Sequence, residues 1–325
     1  MRSRPVNTVY FALFLFAAVT AAAAAERVRL TPKFTPGQVI RYRIESGSKS
    51  TGKTTAPIAN PEGGSQSSNS IHMVVRLEVL GVSPDGSVRL RATYERSAAE
   101  SEADALDLSA NTFTSRYNRL DGRTFEFTLE PDGRTANVQD LTAAATGQSP
   151  KATEPALTWL ENILPGATFP KNGVAVGQKW KRERPVEGSL LSGLTWRGVS
   201  TYLRNEPCGS TSQTGSSGSS ATADTASGEC AVILTQFEIN RQGSTHADAT
   251  PDEYRRNGLR TSGTWTGSGE SLDSFSLATG LLVSSTQSST QNMDYQITSA
   301  STGSSIRHVG KVQSQSQITF VLAQP

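Results

Sequence analysis

Histidine, methionine and cysteine are scarce in this chain: three, three and two among 325 residues. The histidines, His72, His246 and His308, fall in separate segments, which leaves no local zinc-ligand spacing. The cysteines form no Cys-x-x-Cys pair, so the dithiol redox motif is missing. There is no Gly-x-Ser-x-Gly elbow, and the Gly-rich tracts do not lead into helices, which removes the usual serine nucleophile and the phosphate cradle. A dominant charge is lacking too. Lys and Arg number 31 against 29 Asp and Glu, a formal net of +2. Two of those cations, Arg2 and Arg4, stand in an N-terminal segment that reads as removable, and without them the balance is zero. With no basic excess and no Lys/Arg stripe, nucleic acid is excluded as a partner.

The carboxylates offer little more. His246 with Asp248, Asp252 and Glu253 is the nearest thing to a cation site, but its spacing matches no calcium loop, and it reads as a solvated acidic loop. Glu100, Glu102 and Asp104 read the same way. Glu126 and Glu130 lie on the outward face of one strand, which suits solvent better than glycoside chemistry. The expectation is a non-enzyme with no cofactor and no metal.

What is present begins with a signal. Arg2 and Arg4 precede the apolar run Val9 to Val19, an alanine tract follows, and residues 1–25 read as a signal peptide cleaved near Ala23 or Ala25. The run is shorter than the ~20 residues of a spanning helix, so no transmembrane span is expected after cleavage. The mature chain is expected in the periplasm or outside the cell. In that oxidising setting Cys208 and Cys230 are expected to pair. The segment between them, 209–229, is nearly all Ser, Thr, Gly and Ala, a composition that does not order itself.

From Val39 onward the pattern is β. In "IHMVVRLEVL", Ile71, Met73, Val75, Leu77 and Val79 share one face, while His72, Arg76 and Glu78 take the other. The turn Pro84-Asp-Gly86 leads into a partner strand with Val88, Leu90, Ala92 and Tyr94 inward. A second hairpin carries Phe125, Phe127 and Leu129 and reverses at Pro131-Asp-Gly133. Further strands are predicted over Leu194–Arg204, Ala231–Asn240, Leu259–Glu270, Leu272–Leu277, Leu281–Gln291 and Ile306–Leu322. One buried and one wet face imply antiparallel pairing. A single helix is predicted at 153–166, where Thr153 and Pro155 begin "TEPALTWLENILPG" and Leu157, Leu160, Ile163 and Leu164 fall at helical spacing. The acidic stretches "SAAESEADALDLS" and "HADATPDEYRRN" are read as short helices or loops.

The chain also echoes itself. "PGQVIRYRI" at 36–44 and "VGQKWKR" at 176–182 each follow a turn and enter a strand with an aromatic, Tyr42 or Trp180. After each come a hairpin, an acidic insert, and Phe-x-Leu running into a Gly turn, with Phe127 and Gly133 matching Phe275 and Gly280 in order. The expected organisation is a first β repeat at 26–152, the helix, and a second β repeat at 167–325. The halves form either two similar lobes or one continuous sheet.

"FTPGQVIRYRI", "FEFTLEPDGR" and "FPKNGVAVGQKWKRE", taken with the signal peptide, resemble an uncharacterised family of exported bacterial β-rich proteins. In that family a Gly-Gln or Gly-Asp strand opens each half and a short Pro-rich helical stretch precedes the second. The resemblance implies no known activity. A curved sheet plugged by a helix is also similar, more loosely, to the half-barrels of periplasmic lipoprotein and lipid carriers. The fold expected is therefore mainly β, with duplicated curved antiparallel sheets and one intervening helix. The function expected is an exported non-catalytic binding module holding a lipid or other apolar small molecule against Tyr42, Phe127, Trp159, Leu160, Ile163 and Trp180. The competing expectation is a structural protein with a fully packed core that contacts an envelope protein.

Overall fold

The computed structural model describes residues 27–55, 64–103, 109–146, 153–164, 169–186, 189–209, 228–241 and 248–321. The expected signal peptide, residues 56–63, His246, Asp104, Pro165-Gly166 and nearly all of the Ser/Thr/Gly segment lie outside the described residues.

Eleven strands are described: β1 (Val39–Thr55), β2 (Gly64–Val82), β3 (Val88–Ala103), β4 (Thr124–Leu129), β5 (Thr135–Asp140), β6 (Lys179–Pro185), β7 (Leu194–Pro207), β8 (Glu229–Arg241), β9 (Leu259–Ser276), β10 (Leu282–Ser299) and β11 (Ser305–Val321). Among the described residues there are four helices: α1 (Ser109–Asn118), α2 (Leu141–Thr146), α3 (Thr153–Ile163) and α4 (Asp252–Arg256). All the strands join one antiparallel sheet in the order β5-β4-β3-β2-β1-β11-β10-β9-β8-β7-β6, which does not close into a barrel. Of the two arrangements left open by the sequence, one continuous sheet is the one adopted. Each strand pairs with its sequence neighbour except across β5 and β6, the two edges, and the first and last strands meet at the centre.

The register explains the core. Tyr42 faces Phe320 on β11 and Val75 on β2, and Ile44 faces Ile318 and Met73. Cross-strand partners share a face, so the alternating apolar residues at one end of each strand merge into a single band. Tyr42, Ile44, Val75, Leu77, Leu90, Tyr94 and Phe125 are all fully buried there. The band stops where strand composition changes. β1 runs from "VIRYRI" into "ESGSKSTGKTT", and the apolar face continues as Ser46, Ser48 and Ser50. These strands, 17 to 19 residues in β1, β2, β9, β10 and β11, far exceed the usual 5–6. In β1 and β2 one end belongs to the core and the other to water, whereas β10 and β11 reach the apolar core with Leu282 and Ile318.

Helix α3 lies on the apolar band. Ala156, Leu160, Ile163 and Leu164 are at most 2% exposed, and the Tyr94 hydroxyl donates to the Ala156 carbonyl at 2.7 Å. Residues 27–38 strap the same end. Val28 exchanges both backbone hydrogen bonds with Val174, and the Lys33 amide donates to the Thr279 carbonyl at 2.8 Å. At Gly280, with φ of +67°, a Cβ would stand 2.3 Å from the Thr31 carbonyl oxygen. Gly280→Ala therefore meets both left-handed strain and a backbone clash, and should cost about 2 kcal/mol in urea denaturation. A cost below half of that would mean the strap gives way freely.

The two Gly-Gln turns are built alike. At Gly37-Gln38 the Gly amide donates to Val79 O on β2, the Gln amide to Thr35 O, and Gln38 O accepts from the Val79 amide. At Gly177-Gln178 the Gly amide donates to Tyr202 O on β7, the Gln amide to Ala175 O, and Gln178 O accepts from the Tyr202 amide. Even the side chains match, because Gln38 Oε1 accepts from the Thr35 amide and Gln178 Oε1 from the Ala175 amide, each at 3.1 Å. The φ angles of the glycines are 80° and 82°.

Several elements differ from the sequence expectation. The predicted strands at Leu259–Glu270 and Leu272–Leu277 are one strand, β9. The acidic stretch from Ser97 continues β3 to Ala103, since Ala99 keeps an inward position there. Helix α1 follows that stretch, and α4 occupies part of the second acidic stretch. Helix α2, like the body of α1, had no apolar periodicity to announce it.

Buried tyrosines give the fold an alkaline limit. The Tyr42 hydroxyl donates to the Leu282 carbonyl at 3.0 Å, and burial raises the phenols of Tyr42 and Tyr94 well above the usual tyrosine range, with Tyr117 adding to the shift at Tyr94. In the unfolded chain both ionise near pH 10. The folded state keeps its protons above that pH and the unfolded state loses them, so stability should fall as pH rises past about 10. Denaturation midpoints measured across that range should drop, and Tyr42→Phe/Tyr94→Phe should flatten the slope. An unchanged slope in the double variant would count against this origin.

Candidate binding trough

The face of the sheet opposite α3 carries a trough of about 2100 Å³. Its walls come from β1, β2, β3 and from β6 through β11, nine of the eleven strands. On each of these strands the outermost lining residues share one parity: Glu45 and Lys49 on β1, Ser68 and His72 on β2, Ser268 and Leu272 on β9, and Gln313 and Gln317 on β11. Register ties them into rows, as Glu45 pairs with Gln317 and His72, and Gln317 with Thr286. The sheet thus bends around its polar face.

The lining is largely uncharged and hydrogen-bonding: Gln236, Gln313, Gln315, Gln317, Thr286, Ser288 and Thr290 form a floor. Charges stand among them. Glu183 pairs with Arg197 at 3.3 Å, and Glu102 accepts from the Ser68 hydroxyl at 3.5 Å. Glu45, Glu100, Glu238 and Glu270, with Lys49 and Lys181, have no ion pair among the described residues. Val199, Leu234 and Leu272 make one apolar patch, with Leu234 directly opposite Leu272. Nearer the apolar end of the strands, the same face carries a ladder that neutralises itself, in which Arg41 meets Glu95, Arg76 meets Glu95 and Glu78, and Arg91 meets Glu78 and Glu126 at 2.6 to 3.7 Å. The unpaired glutamates of the trough are distinct from that ladder.

The residues expected to hold an apolar ligand are indeed brought together, but in the core. Tyr42, Phe127, Leu160 and Ile163 are 0–1% exposed, Trp159 is buried, and Trp180 packs against them from the side. None of the six lines the trough. Cys208 and Cys230 form the expected disulfide. His72 lines the trough wall, whereas His308 packs on Tyr295 with ring centroids 5.2 Å apart and shares a hydrogen bond with Thr54. Among the described residues no group of three or more His, Cys, Asp or Glu side chains is placed to hold a metal ion. Sequence reasoning placed Glu100 and Glu102 in solvent and missed that they line one trough with Lys181 and Glu238. The signal that could have found the trough is the run of polar residues at alternate positions in "KVQSQSQITF" and "LVSSTQSSTQ".

No known protein family matches the chain, and no curated protein does. The resemblance to an uncharacterised exported family thus has no family match behind it. Among solved structures, lipovitellin, described by its lipid–protein interactions, overlays 90% of this chain at 12% identity with a TM-score of 0.41. The overlay spans 27% of lipovitellin's length. The outer membrane protein OprG from Pseudomonas aeruginosa overlays 90% of this chain and 99% of its own at 9% identity, with a TM-score of 0.16. Likenesses this distant carry no functional argument. No helix among the described residues is long and apolar enough to cross a membrane.

Proposed function

We propose that the protein is an exported, non-catalytic binding module whose trough holds an extended, basic and partly apolar peptide segment of a partner. The observation that carries this reading is the trough itself, about 2100 Å³ against the ~300–1,000 Å³ of small-molecule pockets. Its chemistry narrows the occupant. Ser, Thr and Gln side chains supply both donors and acceptors, as a peptide backbone requires. Glu45, Glu100, Glu238 and Glu270 outnumber Lys49 and Lys181 and so favour positive charge, and Val199, Leu234 and Leu272 accept an apolar side chain. A polysaccharide would call for Trp or Tyr platforms, and neither residue lines the trough among the described residues. Phe237, which borders it, belongs by register to the other face, where it stacks on Trp196. We further propose that residues 26–152 and 167–325 are two copies of one β unit, a reading supported by the matching hydrogen bonds of the two Gly-Gln turns.

A second reading, an apolar or lipid ligand, rests on the Val199, Leu234 and Leu272 patch. Fluorescence anisotropy with labelled peptides of equal length separates the two when run beside native mass spectrometry of protein purified from its own host. The basic–apolar peptide should bind better than acidic or uncharged ones, and should weaken with added salt. Glu238→Gln/Glu270→Gln should reduce its affinity about five-fold. Equal binding of all the peptides would sink the peptide reading, and a co-purifying lipid that blocks the trough would favour the second.

A further inference from the structure

On the other face of the sheet, at its free edge, two arginines share one indole. Arg182 and Arg184 lie two residues apart on β6 and so point the same way. Their guanidinium carbons stand 5.2 and 5.3 Å from the centre of the Trp196 ring. Trp196 stacks on Phe237 with centroids 5.6 Å apart and planes at 29°. Register fixes the order, since Arg182 pairs with Gly198 on β7 and Gly198 with Phe237 on β8. The indole leans over Gly198, where a Cβ would stand only 2.3 Å from the ring. Phe237 therefore covers one side of the ring, and both arginines approach from the side of β6.

Two cations held this close need a counter-charge, and among the described residues neither has an ion pair. Arg182 Nε is shut from solvent with no hydrogen-bond partner. Burial disfavours its charge, Asp273 favours it, and the adjacent Arg184 disfavours it again. Asp273 does not act as a free partner. Its two carboxylate oxygens accept from Ser285 at 2.6 Å and Ser271 at 3.0 Å, and burial pushes its carboxyl up towards the neutral form. Glu183, the carboxylate between the two arginines in sequence, points to the opposite face and pairs with Arg197.

We propose that Arg182 and Arg184, backed by Trp196, form a binding site for an oxyanion of the phosphate class. Planar guanidiniums suit that ligand because their paired N–H groups match two oxygens at once, and an aromatic floor holds the forks in place. Arg182 and Gly198 also border the edge of the trough, but Arg184 and Trp196 do not line it.

The test uses the mature protein with two probes, inorganic phosphate followed by calorimetry, and vesicles of phosphatidylglycerol compared with phosphatidylcholine followed by co-sedimentation. Binding of phosphate identifies a soluble phosphate-bearing ligand, and binding of the anionic vesicles alone identifies a lipid headgroup; either supports the site. Arg184→Gln, at an exposed position that should not disturb folding, should weaken whichever probe binds about ten-fold. Arg184→Lys should lose less. Lys179→Gln removes the same charge from an exposed position on the same strand and the opposite face, outside the trough, and should leave binding unchanged. Failure of both probes, or an equal loss in Lys179→Gln, would overturn the proposal.

Discussion

Replacing Arg123 with methionine is expected to destabilise the protein by about 3–5 kcal/mol, the loss typical of removing one member of a buried ion pair. Arg123 Nη1 meets Asp140 Oδ2 at 2.7 Å, and the two side chains are only 9% and 3% exposed. Asp140 does a second task, since its Oδ1 accepts from the Ala143 amide at 2.8 Å at the start of α2. The pair stands where β4 begins and β5 ends, and the Tyr94 amide donates to the Arg123 carbonyl beside it. Methionine fills much of the arginine stem but leaves the Asp140 carboxylate buried without its cation. The magnitude thus comes from the orphaned charge more than from lost attraction. Arg123→Met/Asp140→Leu removes that charge too, and should be less destabilised than the single variant despite losing the α2 contact. Urea denaturation of Arg123→Met, Asp140→Leu and the double variant checks the prediction, and a double variant as unstable as the sum of its parts would refute the coupling.

The β architecture was legible because most strands carry period-two patterns. Ile71 to Val79 alternates so cleanly that its core face needed no structure to identify it, and the hairpin turns at Gly86 and Gly133 are where Pro-Asp-Gly placed them. Helix α3 was legible for a different reason, a capping residue and apolar spacing in one short stretch. The long polar halves of β9, β10 and β11 were harder. "SSTQSSTQNMDYQITS" has no apolar alternation, so its far end was read short, and pairing with β11 as far as Thr298 and with β9 as far as Ser299 carries β10 to its end. Short helices α1 and α2 rest on tertiary contacts, such as Asn118 Oδ1 accepting from the Ala99 amide at 2.7 Å, and such contacts leave no local pattern.

The site was less legible than the fold, and the reason is again physical. Hydrophobic residues announce burial but not whether the space between them is filled. Tyr42, Phe127 and Trp159 were rightly read as inward-facing, and they pack in the buried core. The trough depends on how far a sheet bends and on which face it bends around, and neither quantity is set by residues close in sequence. Glu45, Glu238 and Glu270 become one group only after β1 and the β8–β9 pair are joined through β11 and β10 in one sheet. The same holds for Arg182, Arg184 and Trp196, whose association needs the β6–β7 register.

Breaking the Cys208–Cys230 disulfide should cost about 3 kcal/mol through the unfolded state alone, from the 22-residue separation of the two cysteines and the entropy of closing that loop. The folded ends are already held without it. The Cys208 amide donates to the Gly228 carbonyl at 2.8 Å, and β7 and β8 pair from Leu194 opposite Arg241 to Pro207 opposite Glu229. If the bond acts by restraining the unfolded chain, its worth depends on loop length, not on native contacts. Replacing residues 210–227 with a two-residue turn, which keeps the Gly228 carbonyl and lets the cysteines close a loop of only about six residues, should lower the cost of Cys208→Ser to about 2 kcal/mol. Cys208 is the position to change, because Cys230 is fully buried and a serine there would add an unsatisfied hydroxyl. Equal losses in the long-loop and short-loop proteins would place the stabilisation in the folded state. A smaller loss in the short-loop protein would make the bond a device for carrying a long polar insertion at little cost to the sheet.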